Sequence, residues 1–285
     1  MKNWAQMKYL LPGTIVLTIL FFIACKKNAT DKCGGTEGGP GGLVSLLTSK
    51  SDDIIMGLAS VKQIESNPGV YPLLDSAAYP KAYGHIYRIT NNILKSGNVS
   101  SKNDFVWRVR IIKNDSTLNA FCTPGGFIYV YTGIIKYLEN ETQLAGVMGH
   151  EIAHADRRHG AKQMIQQYGI SALLSILSDT SGSNSLLTTL AANLLFLKYS
   201  RNDETEADNY SVRYLYGTDY DPRGAKYFFE KLVASGQTGG TPAFLSTHPD
   251  PGDRVSNINT LWDCLGAKSG QTFNSQYLDF KNSLP

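Results

Sequence analysis

Gly149-His150-Glu151-Ile152-Ala153-His154 is the stretch that decides the fold, because it sets two imidazoles and a carboxylate at fixed helical intervals. Leu144, Val147, Met148, Ile152 and Ala155 recur around it at helical spacing, and Asn140 with Gln143 three residues on resembles a capping box. The pattern predicts one helix from about Glu141 through the Arg157–Gln167 region. On a helix, residues four apart lie about 6 Å apart along one face, so His150 and His154 can reach a single cation. Glu151, turned about 100° away, can lean into the same cleft as a proton acceptor. Two neutral nitrogens, an open position and a carboxylate base are what hydrolytic zinc requires.

Two histidines leave zinc one protein ligand short. About 50 residues on comes Ser200-Arg201-Asn202-Asp203-Glu204-Thr205-Glu206-Ala207-Asp208. Glu204 and Asp208 share one face of a predicted helix, so Glu204 can supply the third ligand. Asp208 can accept the free N–H of a ligating histidine and fix its tautomer. His159, five residues past His154, falls off the ligand face and is left out of the site. His85 has no acidic or histidine partner at ligand spacing and reads as structural or solvent-facing.

The chain has 285 residues, 42% of them hydrophobic and 18% charged, enough for one good-sized domain and a leader. A dispersed net charge of +3 argues against a nucleic-acid partner, and a mean hydropathy of −0.19 argues against a polytopic membrane protein. Tyr9 to Ala24 is apolar behind Lys2 and Lys8, too short for a comfortable membrane span. It ends Phe22-Ile23-Ala24-Cys25, which resembles a bacterial lipobox. Residues 1–25 are therefore expected to be a lipoprotein signal ending at a lipid-modified Cys25. An uncleaved anchor or a simple signal is the alternative. Residues 26–42 are Gly-rich and expected to be a flexible tether, and 43–285 the folded domain. Of the other cysteines, Cys122 and Cys264 form the better disulfide pair, with Cys33 left odd; free thiols are the alternative.

Helical periodicity marks Leu43 to Ser66, stopped by Asn67-Pro68-Gly69, and Ala77 to Lys95. Phe105 to Lys113 alternates as a strand, and two further β-prone pieces flank Pro124-Gly125-Gly126 within 119–131. If that piece borders the cleft as an edge, its backbone can take an extended peptide along Phe127, Ile128 and Tyr129; an ordinary hairpin is the alternative. Thr132 to Leu138 starts a short helix. The apolar segments Tyr168–Leu177 and Leu186–Phe196 read as a helical hairpin or lid, too short to cross a bilayer. The Glu204 helix ends at Tyr216 before Gly217, and Asp221-Pro222 opens the next. Ser246-Thr247-His248-Pro249-Asp250-Pro251 leads into a last segment carrying Arg254, Val255, Ile258 and Leu261.

Four signatures in order resemble the zinc metallopeptidase family forty-eight, which includes HtpX-like, BepA-like and CAAX prenyl proteases. They are H-E-I-A-H at 150–154, E-x-x-x-D at Glu204–Asp208, N-A-F-x-x-P-G-G-x-I-x-V at 119–130 and T-H-P-x-x-x-x-x-R at 247–254. The resemblance spans roughly Ile54 to Leu265. The lipobox points to its periplasmic lipoprotein branch, resembling BepA and LoiP, without a tetratricopeptide region after Leu265. It implies an α+β fold: a mainly helical zincin (gluzincin) domain with a small β-sheet bordering the cleft. It implies one zinc ion on His150, His154 and Glu204, with Glu151 as general base and Asp208 behind the ligands. His248 matches a family histidine that either stabilises the transition state or caps the zinc at rest. Asn119 and Arg254 are candidates for contacting the peptide or ordering His248. The implied function is a metalloendopeptidase of the bacterial envelope in quality control. Its substrates are peptides or unfolded proteins, and its place is lipid-anchored at the periplasmic face of the outer membrane. A His-capped, chaperone-like binding protein is the alternative. Asp250-Pro251-Gly252-Asp253 departs from the commoner form of that loop.

Overall fold

Helix α5, Glu141–Asp156, is buried along all of its residues, and the other elements pack around it. It starts where the sequence predicts: the Asn140 side chain accepts from Gln143 N at 3.0 Å. The reciprocal arm differs, since Gln143 Oε1 accepts from Glu139 N rather than from the cap residue. Its ends are pinned by charge. Glu141 receives both Arg88 guanidinium nitrogens at 2.5 Å and Tyr220 Oη at 2.7 Å. Asp156 accepts from Ser100 N, Ser101 N and Tyr214 Oη.

The computed structural model describes residues 33, 42, 44–171, 173, 198–234, 243–248 and 253–285, which belong to the unit Cys33–Pro285. The leader with Cys25, the tether apart from Cys33 and Gly42, most of the two apolar segments and the loop 249–252 lie outside the described residues. In order come α1 (Val44–Leu47), α2 (Lys50–Glu65), α3 (Pro80–Leu94), β1 (Arg108–Ile112), β2 (Ala120–Thr123), β3 (Phe127–Tyr131), α4 (Thr132–Tyr137) and α5. Then follow α6 (His159–Tyr168), α7 (Arg201–Tyr216), α8 (Gly224–Ala234), α9 (Ala243–Thr247), α10 (Arg254–Cys264) and α11 (Asn274–Asn282). The described domain is thus mainly helical with a small sheet, as expected. No described helix is long and apolar enough to cross a membrane.

Three expectations are corrected. The sheet order is β1-β3-β2, with β1 parallel and β2 antiparallel to β3. Phe127, Ile128 and Tyr129 therefore lie on the central strand, buried and hydrogen-bonded on both edges, where no peptide can be added. Second, the predicted long helix breaks after Asp156. Arg158 adopts φ +62°, a left-handed turn, and α6 starts in a new direction. That conformation costs a non-glycine residue about 1 kcal/mol or more. It is held because the Arg158 guanidinium bonds Asp53 of α2 and the Thr48 and Ser49 carbonyls. Third, Cys264 pairs with Cys33, across 231 residues of sequence, and Cys122 is free. The pairing ties Cys33, in the segment expected to be a free tether, to the end of α10.

Helix α7 crosses α5 closely, with Ser211 Oγ donating to the Gly146 carbonyl at 2.8 Å. On its other flank Gly146 meets α8 so tightly that a Cβ would sit 2.0 Å from Ala225 N. These approaches bring the acidic face of α7 against the histidine face of α5. Short helix α9 is fixed to the strand side by Phe244 N donating to the Leu118 carbonyl.

Candidate metal centre

His150 and His154 lie one turn apart on α5, with their Nε2 atoms 2.9 Å from each other. Glu204, from the first turn of α7, reaches both: Oε2 is 3.4 Å from His150 Nε2 and Oε1 is 3.4 Å from His154 Nε2. Its helix starts with a capping box in which Ser200 and Asp203 bond each other reciprocally, which fixes the turn that carries Glu204. His248, at the end of α9, completes the group, with Nδ1 3.2 Å from His150 Nε2 and 3.0 Å from Glu204 Oε1. One ligand atom from each of the four lies within 4.8 Å of the others, and all four side chains are buried.

The donor set fits a divalent cation. Asp208, one turn beyond Glu204, accepts from His150 Nδ1 at 2.9 Å and is gripped by Arg254 through Nε and Nη2 at 2.5 and 2.6 Å. Burial raises a carboxyl, but Arg254 outweighs it, and Asp208 lies below the ordinary range. As a carboxylate it only accepts, so the proton of His150 sits on Nδ1 and Nε2 points its lone pair into the cluster. Burial and the neighbouring His150 push His154 well below the ordinary imidazole value, so it is neutral. Two facing nitrogen lone pairs at 2.9 Å need positive charge between them. Burial works against a charge on His150, but hydrogen bonds to Asp208 and Glu204 outweigh it and raise its pKa. Burial would likewise raise Glu204, yet His248, His150 and His154 hold it far below the carboxylate range. The acidic groups thus call for a cation at this point.

Glu151 is fully buried beside the group. Neither carboxylate oxygen has a partner of hydrogen-bond geometry; His248 Nε2 is 3.5 Å from Oε1, and the Cys122 thiol lies close by. Burial pushes its carboxyl up to about 7, with Glu204 adding to the rise while His248 and Arg254 oppose it. A carboxyl near neutrality can both take up and release a proton at physiological pH.

Among the other candidates, Arg254 acts on Asp208 and also lies 3.1 Å from Glu204 Oε2, behind the ligands rather than along a peptide path. Asn119 is buried with Oδ1 unpartnered, and its carbonyl accepts from Tyr131 N. Because ladder pairs alternate, that bond sets the pattern: Ala120 and Cys122 turn their backbone groups to the outer edge of β2, the strand packed nearest α5. His85 is structural, stacked on Phe280 and 3.0 Å from Asp279. Three residues that the sequence reading did not place in the site lie against it. Tyr199 stacks on His154 with ring centroids 3.9 Å apart, Cys122 faces Glu151, and His159 Nδ1 is 2.9 Å from His154 Nδ1. The signal for Tyr199 was its place just before the cap of the Glu204 helix.

The model of peptidase family M48 matches residues 80–261, which contain every one of these ligand candidates. The chain belongs to peptidase family M48. Its similarity to the mitochondrial metalloendopeptidase OMA1 of Schizosaccharomyces pombe is 33% identity over 176 residues, covering 61% of this chain and 51% of that protein. The β-barrel assembly-enhancing protease of Yersinia pestis is 30% identical over 223 residues, 73% of this chain and 43% of that protein. The metalloprotease YcaL of Escherichia coli K12 is 29% identical over 213 residues, 73% of this chain and 80% of YcaL. The M48 chain thus spans about half or less of the first two relatives and most of the third.

Proposed function

We propose that this M48 chain is a zinc-dependent metalloendopeptidase with His248 capping its metal centre at rest. The observation that carries it is the convergence of His150, His154 and Glu204 from two helices, with an unpartnered buried carboxylate, Glu151, beside them. Bound there, zinc supplies a Lewis acid for a peptide carbonyl and lowers the pKa of water. Asp208 and Arg254 hold His150 in the tautomer that presents Nε2. An extended peptide pairs with the outward backbone groups of Ala120 and Cys122 on β2, which places its chain across Glu151. Glu151 takes a proton from the attacking water and delivers it to the leaving amide nitrogen.

His248 supports a second element of the reading. Its Nδ1 stands within ligand reach of the same point as the other three, where a hydrolytic site keeps an open position. We read it as a cap that withdraws when substrate binds, which makes the enzyme latent. If the cap never withdraws, the protein is the chaperone-like binder instead. The envelope location, lipid attachment at Cys25 and quality-control role rest on the lipobox and on the similarity to the β-barrel assembly-enhancing protease of Yersinia pestis. Glu151→Gln is expected to keep one equivalent of zinc by metal analysis and to lose cleavage of an unfolded protein such as casein. Undiminished cleavage in that variant rejects the assignment. His248→Ala is expected to raise cleavage, and Cys25→Ser to release the protein from the membrane fraction.

A further inference from the structure

We propose that His159 is a positioning residue for His154, linking that ligand candidate to the Glu206 carboxylate through a second imidazole. The inference rests on the metal-centre reading above and extends it to residues outside the quartet.

The asymmetry between the two α5 histidines motivates it. His150 has its own carboxylate, Asp208, on Nδ1. His154 has none: the atom facing its Nδ1 is His159 Nδ1, at 2.9 Å. With Nε2 of His154 turned into the cluster, its single proton sits on Nδ1 and is donated to His159. His159 must then accept at Nδ1 and carry its own proton on Nε2. That atom faces Glu206 Oε2 at 3.3 Å, with Asp203 Oδ1 behind it at 3.8 Å. Every proton has one place, and the chain runs Glu206 to His159 to His154. It delivers through two rings the orienting pull that Asp208 delivers directly.

The surroundings fix this order. Glu206 is held by Arg157 Nε at 2.6 Å, and Asp203 by Lys162 Nζ at 2.5 Å. His159 reaches His154 only because Arg158 turns left-handed, and the buried Asp53 ion pair keeps it there. Tyr199, stacked on the face of His154, leaves that ring its in-plane bonds as the means of setting its direction. His159, Asp203 and Glu206 also have the composition of a second cation site. Both carboxylates already carry a cationic partner, which favours the relay.

The test is zinc affinity of the intact protein, measured by competition with a chromophoric chelator, beside urea denaturation of each variant. Wild type binding one zinc per chain establishes the centre itself; the variants then test the relay alone. His159→Leu is expected to weaken zinc binding about 10- to 100-fold, the usual loss when an outer partner of a ligand is removed. His159→Asn, whose Oδ1 can take the accepting place of Nδ1, is expected to recover most of that loss. Glu206→Gln, at the partly exposed end of the chain, is expected to weaken binding by a smaller factor without unfolding the protein. Wild-type affinity in His159→Leu, no recovery in a folded His159→Asn, or two zinc ions per wild-type chain each overturns the proposal. Should His159→Leu fail to fold, unchanged affinity in Glu206→Gln overturns it by itself.

Discussion

Glu151→Gln isolates the cost of burying a carboxyl without a partner. In the fold this group titrates at about 7, against an ordinary value of 4.5, chiefly because burial disfavours its charge. Between those two pH values the folded protein keeps a proton that the unfolded chain has lost. Stability from this group is therefore full below pH 4.5 and is lost as the pH rises through 7. At about 1.4 kcal/mol per pH unit, the interval corresponds to about 3 kcal/mol. Glutamine has nearly the same shape and no charge, so the variant escapes the loss. With zinc removed by chelator, Glu151→Gln should be more stable than wild type by about 3 kcal/mol at pH 8 and by about 1 kcal/mol at pH 5 in urea unfolding. All other titrating groups are shared, so the change in the difference reports Glu151. Restoring zinc should shrink the gap, because a nearby cation favours the charged form. A gap that does not change with pH, or a wild type more stable at pH 8, would refute the reasoning. Either result would mean that the fold compensates the Glu151 charge.

Asp53→Ala leaves Arg158 buried without its carboxylate and is expected to cost about 3–5 kcal/mol in urea unfolding; a loss below about 1 kcal/mol would remove the ion pair as the anchor of the α5–α6 turn. Gly146→Ala drives a Cβ into the backbone of α8, so a loss of at least about 2 kcal/mol and a melting temperature lower by about 4–8 °C are expected; an unchanged thermal scan contradicts the close crossing. Peptide mapping without reductant should find Cys33 joined to Cys264 and Cys122 as a free thiol, and reduction should cost up to about 5 kcal/mol; a disulfide at Cys122 contradicts the pairing.

Local chemistry made much of the site legible. The i,i+4 spacings of His150 with His154 and of Glu204 with Asp208 follow from helix periodicity, and each pair shares a face in the fold. The cap at Asn140 and the stop at Gly217 are likewise short-range, and the structure has them where the sequence predicts. What failed was non-local. The β-prone segment Phe127–Tyr131 is an unbroken apolar run, and nothing in that run names its strand neighbours. Only pairing with both β1 and β2 makes it central and moves the free edge to Ala120 and Cys122. Cysteine pairing depends on where the chain returns in space, and Cys33 lay in a stretch with no periodic signal.

The sequence by itself determined that this chain carries two facing imidazoles, a base and a distant acidic pair, because a helix converts spacing into direction without help from the rest of the molecule. Only the tertiary structure decided which groups meet them. His248 enters through α9, docked by backbone bonds to Leu118 and Tyr199, and His159 enters through a left-handed residue that an ion pair from α2 holds in place. Neither contact is encoded in a local period. Each exists because charges and surfaces far apart in the chain are buried together, and burial fixes them in one arrangement.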